Sequence, residues 1–137
     1  MENDSFVLDI HIWISIFHNN YSERLIDALI EKQFTLYAST ELQKEFLHVA
    51  HYPEIKKLLP EKISFYSNLI EQLSIFIEPE KRFALVADYK DNYLVDCAML
   101  SKATIVSNDK HLKFLKKLKH PSVKVISQKD FYSALGW

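Results

Sequence analysis

Phe6-Val7-Leu8-Asp9-Ile10-His11-Ile12-Trp13-Ile14 is the stretch that decides the fold. Phe6-Val7-Leu8 reads as a short strand buried on both faces, since three successive apolar residues leave no polar face for water. Ile10, Ile12, Trp13, Ile14, Ile16 and Phe17 extend the apolar run, which reads as a helix entered straight after Asp9. An acid is left at the carboxyl end of a buried strand. The same signature returns at 103–109, where Ala103-Thr104-Ile105-Val106-Ser107 is followed by Asn108 and Asp109. Open α/β sheets bind ligands in the crevice outside the carboxyl ends of their strands.

Working outward, strands and helices alternate. Ser22 is expected to cap a helix over 23–32, where Leu25, Ile26, Leu29 and Ile30 recur at helical spacing. Residues 34–38 read as a strand. Thr40-Glu41-Leu42-Gln43 has the pattern of a capping box, opening a helix that ends near Pro53. Pro60 is expected to open the next helix, with Ile63, Tyr66, Leu69, Ile70 and Leu73 on one face, and Ile75-Phe76-Ile77 reads as a strand closed by Pro79. Residues 83–87 are a strand or an apolar loop. Asp88 or Asp91 then caps a helix carrying Leu94, Val95, Ala98 and Met99. A basic helix over 110–118, a strand over 123–126 and a last helix capped by Ser127 follow. The alternation implies an α/β domain whose mainly parallel sheet is covered on both faces. With no internal repeat, low-complexity tract or Gly/Ser linker, one domain over residues 1–137 is the economical reading.

Composition removes several function classes. The only glycine is Gly136, so neither a P-loop nor a dinucleotide fingerprint can be written, and no nucleotide cofactor is expected. The only cysteine is Cys97, which excludes an internal disulfide, fits a reducing cytoplasm and reads as a small core residue. Met1-Glu2-Asn3-Asp4 is acidic and lacks a signal-peptide pattern. No apolar stretch approaches the roughly 20 residues of a membrane span. The histidines do not pair with cysteines, which argues against structural zinc. His48 and His51 read as surface or satisfied polar residues. Trp13 and Tyr21 suit either an interface or the core.

Two further acids stand on apolar helix stripes, where an ionised group is costly unless paired or bound to a metal. Glu45 shares a face with Leu42 and Val49, whereas Glu41 falls in the first turn and complements the helix dipole. Asp91 heads the stripe of Leu94, Val95 and Ala98. Asp96 lies on another face, paired at i, i+4 with Asn92, and reads as a weaker candidate or a solvated residue. Asp9, Glu45, Asp91 and Asp109 together make an acidic pocket for divalent cations. Nearby carboxylates repel one another, and Mg²⁺ or Mn²⁺ relieves that repulsion while activating water for phosphodiester hydrolysis. Ser107 offers a hydroxyl to the metal or its water. The run from Lys110 to Lys124 is basic; Lys110, Lys113 and Lys117 lie roughly on one helix face, which is either solvated or a phosphate contact.

Four segments together resemble the PIN-domain ribonucleases, in order and over nearly the whole chain. They are Val7-Leu8-Asp9-Ile10-His11, Ser39-Thr40-Glu41-Leu42-Gln43-Lys44-Glu45, Asp88-Tyr89-Lys90-Asp91-Asn92 and Ala103-Thr104-Ile105-Val106-Ser107-Asn108-Asp109. The branch they resemble most is the VapC-like toxins of toxin–antitoxin pairs. The resemblance implies a three-layer α/β/α fold with about five strands, a Mg²⁺- or Mn²⁺-dependent endoribonuclease, a homodimer and an antitoxin partner. It assigns catalysis to Asp9, Glu45, Asp91 and Asp109, with the metal on Asp9, Asp91 and Asp109. His11, Ser107 and Asp96 would support these acids from behind, and Lys110, Lys113 and Lys117 would meet RNA. The sequence departs from the family pattern at Ile10 and His11, where Thr and Asn are usual, and at Ser107 and Asn108, where Thr and Gly are usual. Two other functions suit the residues less well. One is a catalytically weak PIN domain that binds RNA or protein. The other is a receiver-like phosphoacceptor, which leaves Glu45 unexplained.

Overall fold

The computed structural model describes residues 4–79, 89–110, 112 and 123–137, with side chains for all of these except 89–92. Five strands form one sheet: β1 (Ser5–Leu8), β2 (Thr35–Ala38), β3 (Ile75–Phe76), β4 (Thr104–Val106) and β5 (Val125–Ile126). Their order is β3-β2-β1-β4-β5 and every pairing is parallel. Val7 is level with Tyr37 on one side and Ile105 on the other. The chain therefore builds outward from β1 in one direction, then returns to place β4 on its other flank. That reversal is the topological switch point, and the acids after β1 and β4 stand there.

Among the described residues the helices are α1 (Ile10–His18), α2 (Ser22–Lys32), α3 (Thr40–Ala50), α4 (Pro53–Lys56), α5 (Ile63–Leu73), α6 (Tyr89–Ser101) and α7 (Gln128–Ala134). Phe6, Val7 and Leu8 are all buried although their side chains alternate in direction, so both faces of β1 are covered. Phe6 meets Phe34 and Phe131 of α7 edge-on at 5.7 and 5.1 Å, while α6 packs across β1, β2 and β4. The result is the three-layer α/β/α arrangement with a parallel sheet.

Several local expectations are corrected. Ser22 is inside α2, whose N-cap is Tyr21 without a side-chain bond. The cap of α3 is Ser39, not Thr40: Ser39 is extended and its Oγ accepts from Leu42 N–H at 3.2 Å. Thr40 instead donates through its N–H and hydroxyl to Glu78. Pro60 stands ahead of α5, whose N-cap is Lys62. Ser127 caps α7 as expected, accepting from Asp130 N–H at 3.1 Å. Trp13 is in the core, with its indole N–H unpartnered among the described residues, and Tyr21 is half-buried against Tyr132 and Trp137. The 83–87 run, the capping role of Asp88 and most of the 110–118 helix lie outside the described residues; Lys110 and Leu112 are helical.

Candidate active site

Asp9 is held from two sides. It is the N-cap of α1, so its Oδ1 accepts from His11 N–H at 3.2 Å, while its own N–H donates to Val106 O of β4 at 3.0 Å. Its Oδ2 accepts from the Ser107 hydroxyl at 2.7 Å. Ser107 Oγ also accepts from Asp109 N–H at 3.0 Å. One fully buried hydroxyl thus ties the carboxylate after β1 to the backbone carrying the carboxylate after β4. This follows from register: Leu8 pairs with Val106, so the residues just beyond them meet across the switch point.

A cleft of about 340 Å³ opens beside Asp9. Glu45 of α3 and Asp109 line it with Asp9, so three acids separated by up to 100 positions share one recess. Glu54 of α4 lines it too. Sequence reasoning missed Glu54 because Pro53 reads as the end of a helix, whereas it opens a short one whose Glu54 and Ile55 line the cleft. Val49, Ile55 and Leu94 add apolar lining, and Tyr52 and Tyr93 line it as well. Among the described residues no Lys or Arg lines the cleft. A carboxylate-rich recess attracts cations.

The remaining candidates are placed as follows. His11 lines the cleft with an exposed side chain, but it is its backbone that touches Asp9. Asp91 is in the first turns of α6, and its side chain lies outside the described residues. Asp96 is fully buried, which corrects the solvated reading, and it does not line the cleft. The cause is that residues 93–98 of α6 are all buried, so this helix has no solvent face there. Lys110 is exposed directly after Asp109; Lys113 and Lys117 lie outside the described residues. Cys97 is a core residue. Its thiol is pushed up to about 12 by burial first and then by Glu78 and Asp96, so it stays protonated near neutral pH. His48 and His51 are satisfied, on Tyr52 OH at 2.7 Å and Leu47 O at 2.6 Å.

The donor set fits a hard divalent cation. Oxygen ligands are what Mg²⁺ and Mn²⁺ take, and Mg²⁺ keeps several waters while using one or two carboxylates. Among the described residues no three acid, His or Cys side chains already form a closed ligand set.

The chain matches the PIN domain family over residues 5–111. It is 27% identical over 135 residues to uncharacterized protein MJ1680 of Methanocaldococcus jannaschii, covering 91% of this chain and 87% of that protein. Its fold is similar to a chain in the crystal structure of VapBC2 from Rickettsia felis bound to a DNA fragment from their promoter. That match has a TM-score of 0.57 and 14% identity, over 90% of this chain and 98% of the other. With its parallel sheet, its acids at the switch point and a family match across most of its length, this chain belongs to the PIN domain family.

Proposed function

We propose that this chain is a single PIN domain over residues 1–137 that hydrolyses RNA phosphodiester bonds with Mg²⁺ or Mn²⁺, as the toxin of a toxin–antitoxin pair. The observation that carries the reading is the convergence of Asp9, Glu45 and Asp109 on one cleft, with Ser107 bridging two of them. The likeness of the fold to a VapBC2 chain supports the toxin assignment and a cognate antitoxin as partner. A homodimer and a cytoplasmic location belong to the same proposal. No helix among the described residues is long and apolar enough to cross a membrane.

In this reading Asp9, Asp91 and Asp109 hold the metal, and Glu45 completes the site directly or through water. A divalent ion held there would lower the pKa of its bound water and offset charge on the phosphate. Asp9 is kept in one orientation by Ser107 and by the N-terminus of α1, so little reorganisation is needed at the moment of reaction. Ser107 and Asp96 support the acids, and His11 faces the cleft. Lys110, Lys113 and Lys117 draw the phosphate backbone toward Asp109 without reading sequence. Water oxygen bonds to phosphorus and gives up a proton as the bond to the leaving ribose oxygen breaks, and that oxygen takes up a proton.

The test is cleavage of a labelled RNA pool with Mg²⁺, with Mn²⁺ and with chelator, beside Asp9→Asn. Asn is isosteric and an equally good helix cap, so the variant should fold and fail to cut. Undiminished cutting by Asp9→Asn would refute the site. Metal-independent RNA binding without turnover in the wild type would favour a binding module instead.

A further inference from the structure

A second recess lies one residue away from the acidic cleft. Asp109 lines the cleft, while Asn108 lines a hollow of about 540 Å³ together with Gln128, Lys129, Tyr132, Ser133 and Trp137. Residues just beyond β1 and β4 line the cleft, and residues just beyond β4 and β5 line the hollow. Nothing in the hydrolytic site uses this hollow.

Its construction is specific. Trp137 is pinned by its backbone N–H, which donates to Tyr132 O at 2.9 Å, and by ring contacts with Tyr132 at 5.0 Å and Tyr21 at 5.2 Å. Arg24 lies over the Tyr21 and Trp137 rings at 5.0 and 5.4 Å. Yet Tyr132 and Trp137 are only half-buried, and both still line the hollow. At the other wall Asn108 and Gln128 are locked together. Gln128 N–H donates to Asn108 Oδ1 at 3.0 Å, and Asn108 Nδ2 donates to Gln128 Oε1 at 3.3 Å. Gln128 Nε2 in turn donates to Ser15 Oγ at 2.8 Å. Each amide keeps one N–H outside these bonds. Lys129 is exposed at the edge.

We infer that this hollow is a nucleobase subsite for the single-stranded RNA whose phosphate occupies the neighbouring cleft, an inference that rests on the nuclease reading. Preset aromatic faces suit a base of any identity, because every base has a stacking face. The amide pair offers hydrogen bonds to a base edge, as single-stranded RNA recognition requires. Lys129 meets the adjoining phosphate. The step from Asn108 to Asp109 puts base and scissile phosphate on consecutive residues of one turn.

Tryptophan fluorescence tests this without turnover. Trp13 is buried in the core, so a ligand in the hollow perturbs Trp137 alone. Titration in chelator with a short single-stranded RNA of mixed sequence should quench that signal, and the duplex of the same RNA should not. Trp137→Ala should weaken RNA binding roughly 5- to 150-fold, the range of stacking on an aromatic ring. It should raise KM rather than lower kcat, and Trp137→Tyr should restore most of the loss. Lys129→Ala, at an exposed position, should reduce the salt slope of RNA binding by about one. Unchanged binding in a folded Trp137→Ala that still cuts RNA would overturn the subsite and leave the nuclease standing. Equal quenching by a free nucleoside monophosphate would overturn the substrate assignment. Loss of binding in Trp137→Ala, with no cutting by the wild type, would support the subsite and refute the nuclease.

Discussion

Replacing Ser107 with Ala removes one oxygen and breaks two hydrogen bonds at the centre of the site. The bond to Asp9 Oδ2, at 2.7 Å and buried, is made to a charged group. Such bonds contribute about 1.5–3 kcal/mol, and leaving a buried partner unsatisfied costs about 1–3 kcal/mol. Asp109 N–H, which donates to Ser107 Oγ at 3.0 Å, is only part-buried and can turn to water, so its loss falls at the low end. The sum is about 2–4 kcal/mol, which for a domain of this length lowers Tm by about 8–16 °C. The second consequence concerns the metal. With no donor on Oδ2 the Asp9 carboxylate is held through Oδ1 alone, and removing such a supporting partner costs about 10- to 100-fold in metal affinity. Thermal melts in chelator read the first quantity, and Mn²⁺ titration followed by electron paramagnetic resonance reads the second. Ser107→Thr keeps the hydroxyl and should retain most of both. A Ser107→Ala protein that melts with the wild type and binds Mn²⁺ equally would refute the reasoning. Destabilisation with unchanged Mn²⁺ binding would confine Ser107 to the fold.

Two further predictions separate roles that share one chemistry. Glu45→Gln should suppress RNA cleavage while Glu41→Gln leaves it intact, since Glu45 lines the cleft and Glu41 does not; equal rates in the two variants would refute the division. Cys97 should make the fold sensitive to alkali. Its thiol lies near 9.0 when exposed and at about 12 in the fold, so the unfolded chain ionises first. This contribution is complete below pH 9 and declines by about 1.4 kcal/mol per pH unit as pH rises toward 12. Urea unfolding of Cys97→Ala at a series of alkaline pH values should show a shallower decline than the wild type, and parallel curves would contradict the assignment.

What was legible in the sequence was whatever depends on short, one-directional patterns. Phe6-Val7-Leu8 and Thr104-Ile105-Val106 are buried on both faces, so their strands read directly as apolar runs, and each acid beyond them is placed by the strand's end. The cap of α3 was misread as Thr40, whose neighbour Ser39 carries a hydroxyl too and is the residue that caps. Glu78, distant in sequence, decides it by taking the Thr40 hydroxyl and N–H. Asp96 was misread because periodicity assigns a face only when a helix has two. Residues 93–98 of α6 are buried throughout, so its apolar pattern carries no directional information. Glu54, Tyr52 and the Tyr21, Tyr132, Trp137 cluster were invisible for a different reason: each depends on elements that meet only in three dimensions.

The departures Ile10 and His11 bear on how the first acid is held. A side chain at position 11 is not needed to steady Asp9 here. The His11 backbone N–H occupies Oδ1 and the Ser107 hydroxyl occupies Oδ2, and any residue but proline supplies the former. Ile10 is buried, so a polar residue there would be taken out of water, whereas an apolar one adds to the core. A carboxylate offers about four lone-pair directions, of which these bonds use two, leaving as many for a ligand in the cleft. The imidazole of His11, exposed and lining that cleft, is therefore released from a holding task. The substitution alters what the recess presents to its occupant and leaves the anchoring of Asp9 to the backbone and to β4.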